Sequence, residues 1–166
     1  FPYTTLFRSR EICGQVSHGI EHRGAGKPPP EQVVHDPRLF PVVGGGRVEG
    51  PLIKGRLIGN AADWQVTRPD GVTVADAIYA IETDDGAQIY MTYGGVVVGS
   101  KEAGEALARG EVLNDKGFPY FITTPQFQTS SEKYAWMNQL QAVGKMAELK
   151  RAKNDAYVKY DIFGLR

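Results

Sequence analysis

The chain has 166 residues, a length that favours one domain with a single core over several domains. Its 19 lysines and arginines balance 19 aspartates and glutamates, so no net positive charge attracts a nucleic acid or an anionic membrane. The single cysteine, Cys13, excludes an internal disulfide and a zinc site built on several cysteines. We therefore expect no nucleic-acid partner.

No stretch of the sequence approaches the roughly 18 consecutive apolar residues that a membrane-spanning helix requires. The first residues also lack the basic segment and apolar core of a signal peptide. From the sequence we expect a soluble protein without a membrane partner. With one cysteine, the chain fits a reducing compartment such as the cytoplasm.

The first nine residues, FPYTTLFRS, match the translation of a widely used sequencing adapter. This match indicates an open reading frame assembled from environmental DNA, so we expect residues 1–9 to carry no functional side chain. The single domain is then expected to occupy residues 10–166. The segment TTLFRSREICGQV is nevertheless strand-like and can pair with the edge of a sheet.

Residues 14–41 are rich in glycine, proline and histidine and read as a long connection. The three histidines of the chain, His18, His22 and His35, all lie here. His18 and His22 have the spacing of two metal ligands on a helix, but the flanking glycines make a poor helix. We favour a plain connection and expect no metal site.

Six glycines follow within residues 39–59, in the run LFPVVGGGRVEGPLIKGRLIG. A phosphate-binding loop would require a GxGxxG motif that opens a helix or a GK[ST] motif, and neither occurs. Glycines spaced along strands more often mark bulges and bends. We therefore expect curved strands here.

The stretch 63–93 contains three runs rich in valine, isoleucine, tyrosine and threonine. Asp70-Gly71 and Asp85-Gly86 separate these runs, and Asp-Gly between alternating runs is a strong signal for a two-residue hairpin loop. The sequence therefore predicts a three-stranded antiparallel meander.

Two-residue loops also predict which side chains share a face, because strand side chains alternate. They place Glu82 opposite Ile89, and Ile78 opposite both Asp63 and Tyr93. One predicted face carries Asp63, Gln65, Asp76, Ile78, Ala80, Glu82, Ile89, Met91 and Tyr93. The other carries Trp64, Val66, Ala77, Tyr79, Ile81, Tyr90 and Thr92. Since both faces are partly apolar, we expect a closed barrel with an outer layer or an oligomer partner.

The remaining elements follow in order along the chain. The run SKEAGEALARG predicts a helix with Ser100 as N-cap and Gly110 at its end. Residues 118–129 predict a strand, and residues 130–136 a helical turn. The run at 139–153 is ambiguous, because its composition favours a helix whereas Gly144 and the following strand-like AYVKYDIF favour a hairpin.

These motifs together resemble a known family. The elements DWQ, RPDG, ETDDGA and YAW, in this order between residues 40 and 136, resemble domain of unknown function 3237. The resemblance implies an all-β fold, a closed antiparallel barrel similar to the calycins and to allene oxide cyclases, with one or two short helices. It also implies a hairpin after the YAW turn, which decides the ambiguous run in favour of strands.

The chain departs from the family pattern at positions where members tend to carry arginine. Here those positions hold Ile78, Thr92 or Gly94, and Ile122. If such arginines hold an anionic ligand, their loss implies a neutral ligand. Glu82 would then be a poorly solvated carboxyl with a raised pKa.

Two functions fit the predicted barrel. In the first, a cofactor-independent isomerase, cyclase or lyase acts on a small hydrophobic or aromatic molecule in the lumen. Glu82 or Asp63 would move a proton, and Tyr93 would donate a hydrogen bond to a developing oxyanion. The pocket would be shaped by Trp64, Tyr79, Tyr90, Met91, Phe121 and Trp136.

The second function is a non-catalytic, lipocalin-like barrel that binds an apolar ligand. A structural alternative makes Asp63 and Glu82 exposed strand residues and the aromatic residues simple core. Hydrolysis by a serine triad is disfavoured because GxSxG is missing and every histidine precedes the predicted core.

Overall fold

In the computed structural model, residues 46–152 and 156–165 are described with their side chains, except that of Asn60. Residues 12–18 and 36–42 are described as backbone. The predictions made for residues 1–9, for His22 and for His35 lie outside these residues. None of the described helices is long and apolar enough to cross a membrane.

Ten strands and one α-helix make up the described fold. The strands are β1 (Ile12–His18), β2 (Asp36–Val42), β3 (Gly46–Glu49), β4 (Lys54–Thr67), β5 (Val72–Thr83), β6 (Gln88–Val98), β7 (Val112–Asn114), β8 (Tyr120–Gln128), β9 (Gln141–Lys150) and β10 (Ala156–Leu165). Helix α1 (Lys101–Ala108) lies between β6 and β7, and two short 3₁₀ helices span Asp115–Gly117 and Glu132–Gln139.

The strands form one antiparallel sheet in the order β10-β1-β3-β4-β5-β6-β8-β9-β7, and β10 also pairs with β9. Strand β2 pairs with the second half of β4. The sheet is curled and barrel-like, which confirms the all-β prediction. It is not the fully closed barrel that we expected, because β8 and β9 share only the pairs Ile122↔Lys145 and Thr123↔Gly144.

Both predicted hairpin turns are present, but each loop is one residue longer than expected. In the first turn, Arg68 N–H donates to the Val72 carbonyl at 2.9 Å, which closes a loop of three residues. In the second turn, Thr83 N–H donates to the Ala87 carbonyl at 2.9 Å and closes a loop of the same length. The last loop residue of each turn, Gly71 or Gly86, has a positive φ, 82° and 85° respectively. Loops of this kind combine a tight turn with a left-handed glycine.

One extra loop residue shifts the register of β5 by one position. Ala77 rather than Ile78 lies opposite Asp63, and Ile81 rather than Glu82 lies opposite Ile89. A one-residue shift moves every side chain of a strand to the other face. The predicted assignment of side chains to faces was therefore wrong for β5. The residues of β4 and β6 that were predicted to share a face with one another do share it. The inner face of β4, β5 and β6 carries Asp63, Ala77, Tyr79, Ile81, Ile89, Met91 and Tyr93.

A bulge in β4 lies beside Asp63. Ile58 pairs with Ala80 and Ala62 with Ile78, so residues 59–61 lie opposite Tyr79 alone. Gly59 has a φ of 69°, a conformation that glycine adopts without strain. The bulge adds two residues to β4. Since side chains alternate with a period of two, the residues of β4 after the bulge point to the same face as they would without it.

Two helical segments cover opposite ends of the sheet. Ser100 caps α1 by accepting a hydrogen bond from Ala103 N–H at 3.1 Å, and α1 buries Leu107 against the core. At the other end, the 3₁₀ helix Glu132–Gln139 buries Tyr134 and Met137. The helix predicted after Ser100 and the strands predicted for the ambiguous run are both confirmed.

The outer face of the sheet exposes several apolar side chains. Those more than a third exposed on β4, β5, β6 and β8 are Trp64, Val74, Ile78, Tyr90, Val96 and Tyr120. An oligomer partner would cover such a face, and that partner stays a prediction.

Candidate functional site

The inner face carries a buried carboxyl on β4. Asp63 is 1% exposed, and its Oδ2 accepts a hydrogen bond from Gln65 Nε2 at 2.8 Å. Its Oδ1 has no hydrogen-bond partner among the described residues. Burial raises the pKa of Asp63 from 3.8 to about 6, the charge of Asp76 adds to this rise, and Gln65 and Arg151 oppose it. Asp63 therefore changes its protonation state close to neutral pH.

Three buried tyrosines on the same inner face contact one another and form what we call the phenol cluster: Tyr79, Tyr93 and Tyr160. The rings of Tyr79 and Tyr93 stack with centroids 5.5 Å apart, and their hydroxyl oxygens are 2.9 Å apart. Tyr160, on β10, tilts against Tyr93 with centroids 5.7 Å apart. Burial raises the pKa of all three phenols, and the nearby charge of Asp63 raises it further. The cluster is thus a set of neutral hydroxyls beside an ionisable carboxyl.

Small residues make room for the phenol cluster. Ala77, which is fully buried, lies between Asp63 on β4 and Tyr93 on β6 in the same cross-strand row. The side chain at this position is a single methyl group, so it takes up little of the space between Asp63 and Tyr93 in that row.

A small cavity adjoins the phenol cluster on the side of the 3₁₀ helix Glu132–Gln139. It offers about 20 Å³ to the centre of a water molecule, and Tyr93 and Tyr160 form part of its wall. The rest of the wall is largely hydrocarbon, including Met91 and Met137. A volume of this size holds about one water, so a larger ligand requires side chains to move. Methionines are well suited to such movement because they have several rotatable bonds.

The structure brings together only part of the predicted site. Asp63, Tyr79, Tyr93 and Met91 share the inner face. Phe121 is half-buried and packs edge-on against Tyr160, with centroids 5.8 Å apart. Three further predicted site residues lie elsewhere: Trp136 packs on the core from the 3₁₀ helix, and Trp64 and Tyr90 lie on the outer face, 53% and 43% exposed.

The predicted placement of Glu82 in the lumen was wrong. Glu82 lies on the outer face of β5, where Arg56 Nε donates a hydrogen bond to its Oε2 at 2.9 Å. Arg56 occupies the opposite position on β4. Because Glu82 has a cationic partner and solvent access, the expectation of a poorly solvated carboxyl there does not hold.

The positions at which the resemblance implied arginine also face outward. Ile78, Thr92, Gly94 and Ile122 alternate with inner residues on β5, β6 and β8. Arginine at these positions would therefore not reach the cavity. Its loss does not bear on the charge of a ligand inside the sheet.

Two residues near Asp63 were not predicted as site residues. Tyr160 lies within the run AYVKYDIF, whose alternation places Val158, Tyr160 and Ile162 on the inner face of β10. That alternation was visible in the sequence, but the position of β10 beside Tyr93 was not. Gln65 shared the predicted face of Asp63 and was not singled out, although its amide donates the hydrogen bond to Asp63 Oδ2.

A polar cleft lies at the end of the sheet near the 3₁₀ helix Glu132–Gln139. Lys133 and Tyr134 both hydrogen-bond Asp85, Tyr134 at 3.1 Å. Lys133 and Thr83 hold the pKa of Asp85 at about 2. A carboxyl that stays ionised and paired at neutral pH is a poor proton-transfer group. Among the described residues, no group of three or more histidine, cysteine and acidic side chains is placed to hold a metal ion.

Comparison with known proteins places this arrangement in a family. The family model described as Protein of unknown function (DUF3237) matches residues 23–165. A UPF0311 protein of Rhodopseudomonas palustris is 39% identical over 110 residues, covering 66% of this chain and 71% of that protein. Its crystal structure superposes with a TM-score of 0.69 and 30% identity, covering 93% of this chain and 97% of that chain.

Two further proteins are informative. The crystal structure of a beta-barrel-like protein from Acinetobacter baumannii gives a TM-score of 0.64 at 34% identity, over 92% of this chain and 94% of that chain. A relative from Penicillium herquei, named hydroalkoxylation enzyme phnH, is 34% identical over 100 residues, which cover 60% of this chain and 51% of that protein. The chain is thus similar both to proteins of unknown function and to a named enzyme.

Proposed function

The chain belongs to the DUF3237 family of unknown function, and from this premise we propose that it is a cofactor-independent enzyme of the isomerase, cyclase or lyase type. Its substrate would be a small hydrophobic or aromatic molecule, held inside the curled sheet. Asp63 would be the group that moves a proton. The observation that carries the proposal is the buried carboxyl of Asp63, with one oxygen lacking a partner among the described residues.

The environment of Asp63 suits proton transfer. A general acid or base works best when its pKa lies near the working pH, and burial brings the pKa of Asp63 to about 6. A buried acceptor without a donor costs free energy of about 1–3 kcal/mol, so a fold maintained for stability alone gains nothing from it. A substrate hydroxyl would supply the missing donor and would place its proton on the carboxylate.

The name of the Penicillium herquei relative indicates a reaction class with the same requirements. Hydroalkoxylation adds an O–H group across a carbon–carbon double bond. The oxygen loses its proton to a base and forms the C–O bond, and the π electrons go to the other carbon, which takes up a proton. When the hydroxyl and the double bond lie in one molecule, the product is an isomer, so the reaction requires a proton acceptor and donor but no oxidant or reductant. We extend this class of reaction to the present chain.

A non-catalytic binding protein is the alternative, and the largely hydrocarbon wall of the cavity favours it. A carrier of an apolar ligand gains nothing from an ionisable carboxyl in its interior. Asp63, already hydrogen-bonded to Gln65, is the feature that the alternative leaves without a role. For this reason we favour the enzyme.

The proposal is tested with a panel of small aromatic molecules that carry both a hydroxyl group and a double bond. In D₂O, we expect a product of unchanged composition except for one deuterium bound to carbon, detected by chromatography and mass spectrometry. Asp63→Asn keeps the shape of the side chain and removes its titration, so we expect kcat/KM to fall by about 10²-fold or more.

Asp115→Asn provides the matched control, because Asp115 lies in an exposed 3₁₀ turn paired with Lys145. We expect this variant to retain wild-type turnover. Full turnover in a folded Asp63→Asn variant would overturn the proposal. Binding of panel members without conversion, with equal affinity for wild type and Asp63→Asn, would support the carrier instead.

A further inference from the structure

The two oxygens of the Asp63 carboxyl have different surroundings. Oδ2 accepts a hydrogen bond from Gln65 Nε2 at 2.8 Å, whereas Oδ1 has no hydrogen-bond partner among the described residues. Building on the proposed function, we propose that Gln65 is a positioning residue, whose amide holds Oδ2 and leaves Oδ1 as the oxygen that exchanges a proton with the substrate. Gln65 would thus act through Asp63 without touching the reacting atoms.

Strand β4 sets the distance between the two side chains. Asp63 and Gln65 are two residues apart, so strand alternation directs both to the inner face. At both positions β4 is paired on each side, with β5 on one side and with β2 on the other. Groups carried by a strand inside a sheet are held more precisely than groups on a loop. The contact between amide and carboxyl is therefore built on a part of the backbone that has little freedom to move.

The neighbouring strand offers no rival to the amide. The residues of β5 opposite Asp63 and Gln65 are Ala77 and Ala75, which are 0% and 3% exposed and carry only a methyl group. Next to Ala75, β6 contributes Gly95, which has no side chain. Loss of the Gln65 amide would therefore leave both carboxyl oxygens of Asp63 without a hydrogen-bond partner among the described residues.

An amide suits this role because it donates a hydrogen bond without titrating. A carboxylate only accepts, so the nitrogen of Gln65 must face it, and the amide takes up no proton at neutral pH. The terminal torsion of an aspartate side chain is broad, so a carboxylate without partners can turn either oxygen to a substrate. A hydrogen bond to one oxygen restricts this rotation. The proton is then exchanged at one defined atom, as efficient proton transfer requires.

The step that Gln65 would support moves one proton. The substrate hydroxyl gives its proton to Oδ1 of Asp63 as the substrate oxygen forms the new C–O bond, and the π electrons go to the other carbon. That carbon then takes up a proton from the carboxyl, and Asp63 is again a carboxylate. Gln65 keeps its hydrogen bond to Oδ2 and neither gains nor loses a proton.

Several other groups bear on the charge of Asp63. Among the described residues, Asp76 on β5 raises its pKa, and Arg151, which follows β9, lowers it. A further set is neutral at neutral pH because burial raises its pKa values, namely the phenol cluster of Tyr79, Tyr93 and Tyr160. All of these groups remain in a variant of Gln65. A change in the titration of Asp63 in such a variant therefore originates at position 65.

The decisive variant is Gln65→Met, which keeps the length of the side chain and removes the amide donor. Turnover of a panel member that wild type converts is measured between about pH 5 and about pH 9. At the alkaline end Asp63 is ionised in both proteins, and we still expect kcat to be lower by about 10-fold or more, because the carboxylate is no longer held. The pH at which kcat/KM reaches half of its plateau should rise, since a donor that stabilises the carboxylate is lost.

A second variant, Gln65→Glu, keeps the shape of the side chain and replaces the donor by an acid. Two carboxyl groups at hydrogen-bonding distance do not both ionise readily, so the half-plateau pH should rise further than in Gln65→Met. Gln126→Met is the matched control, because Gln126 is exposed on the outer face of β8. We expect this variant to keep the wild-type kcat and the wild-type pH profile.

A measurement without substrate tests the same contact. The ¹³C resonance of the Asp63 carboxyl reports its titration directly. We expect Gln65→Met to raise the pKa of Asp63 and Gln126→Met to leave it unchanged. An identical titration curve in wild type and in folded Gln65→Met would overturn the positioning role.

Two outcomes separate the positioning role from the proposed function. If Gln65→Met is folded and reaches wild-type kcat at alkaline pH while Asp63→Asn is inactive, Gln65 does not position the carboxyl, and the proposed function stands. If folded Asp63→Asn retains full turnover, the proposed function fails, and the role of Gln65 fails with it. A lower plateau and a raised half-plateau pH in Gln65→Met, together with an inactive Asp63→Asn, would support both.

Discussion

The inner and outer faces of β4, β5 and β6 carry similar side chains in opposite environments. Each face has a carboxyl: Asp63 inside is 1% exposed and hydrogen-bonded by an amide, whereas Glu82 outside is paired with Arg56. Each face also has an isoleucine on β5, Ile81 inside and Ile78 outside, 1% and 44% exposed. Residue type alone therefore does not identify the functional group.

The difference between the faces is set by the turns. Each hairpin loop has three residues instead of two, and Gly71 and Gly86 take the left-handed conformation that such loops require. One residue more or less exchanges the faces of β5 and would bring Glu82 inside in place of Ile81. The position of the ionisable group in the core thus depends on turn geometry at a distance from it.

The largest expected effect contrasts the two isoleucines. Ile81→Ala removes a side chain packed in the core and leaves a cavity, so we expect the free energy of unfolding to fall by about 2–5 kcal/mol. Ile78→Ala truncates a side chain that is already partly in water, and we expect a change of less than about 1 kcal/mol. Chemical denaturation of both variants measures the difference.

Similar losses of unfolding free energy in Ile81→Ala and Ile78→Ala would contradict the difference between the two faces. They would show either that Ile81 is poorly packed or that a partner buries Ile78 in solution. Measuring the Ile78→Ala variant at two protein concentrations separates these explanations, because burial by a second copy makes stability depend on concentration.

Much of the fold could be predicted from local sequence. Alternating apolar runs gave the strands, Asp-Gly pairs gave the positions of the turns, and Ser100 and Gly110 gave the ends of α1. The choice between helix and hairpin for residues 139–153 came from resemblance, because helix propensity favoured the wrong structure there. Tertiary pairing of β9 with β10 and β7 overrides that propensity.

The register and the closure of the sheet could not be predicted in the same way. Asp-Gly fits a two-residue loop and also the end of a three-residue loop, so the sequence did not determine which face of β5 was buried. Tyr160 was missed because its place beside Tyr93 depends on the pairing of β10 with β9, which lies far from the meander in sequence. Asp63 and Tyr79 were both predicted as site residues, but on opposite faces of the sheet. Only the observed register places them on the same face.

A second prediction uses the pH dependence of stability to test the inner carboxyl. Burial raises the pKa of Asp63 from 3.8 to about 6, so the folded chain binds this proton more tightly than the unfolded chain. The free energy of unfolding should therefore rise as the pH falls through this interval. Between about pH 7.5 and about pH 5 we expect a gain of about 1 kcal/mol, measured by denaturation at each pH.

The Asp63→Asn variant isolates that contribution, since it keeps the other titrating groups and lacks this one. Its stability should change less than that of wild type over the same pH range. Asp85, whose pKa is lowered to about 2, loses its stabilising contribution only at more acidic pH. A wild-type profile that matches the Asp63→Asn profile would show that the carboxyl is better solvated than the structure indicates.

The smallest expected effect concerns the outer carboxyl, and Glu82→Gln measures it. The ion pair with Arg56 lies on the surface, with the two side chains 70% and 31% exposed. Such pairs contribute little, because solvent screens the charges and two long side chains lose freedom, so we expect stability to fall by less than about 1 kcal/mol. Added salt should reduce even this difference between wild type and variant.

Turnover should stay at the wild-type level, since Glu82 and the cavity lie on opposite sides of the sheet. A fall in kcat comparable to that of Asp63→Asn would mean that β5 presents Glu82 to the substrate after all. The register of the two turns, and with it the choice of Asp63 over Glu82, would then have to be reversed.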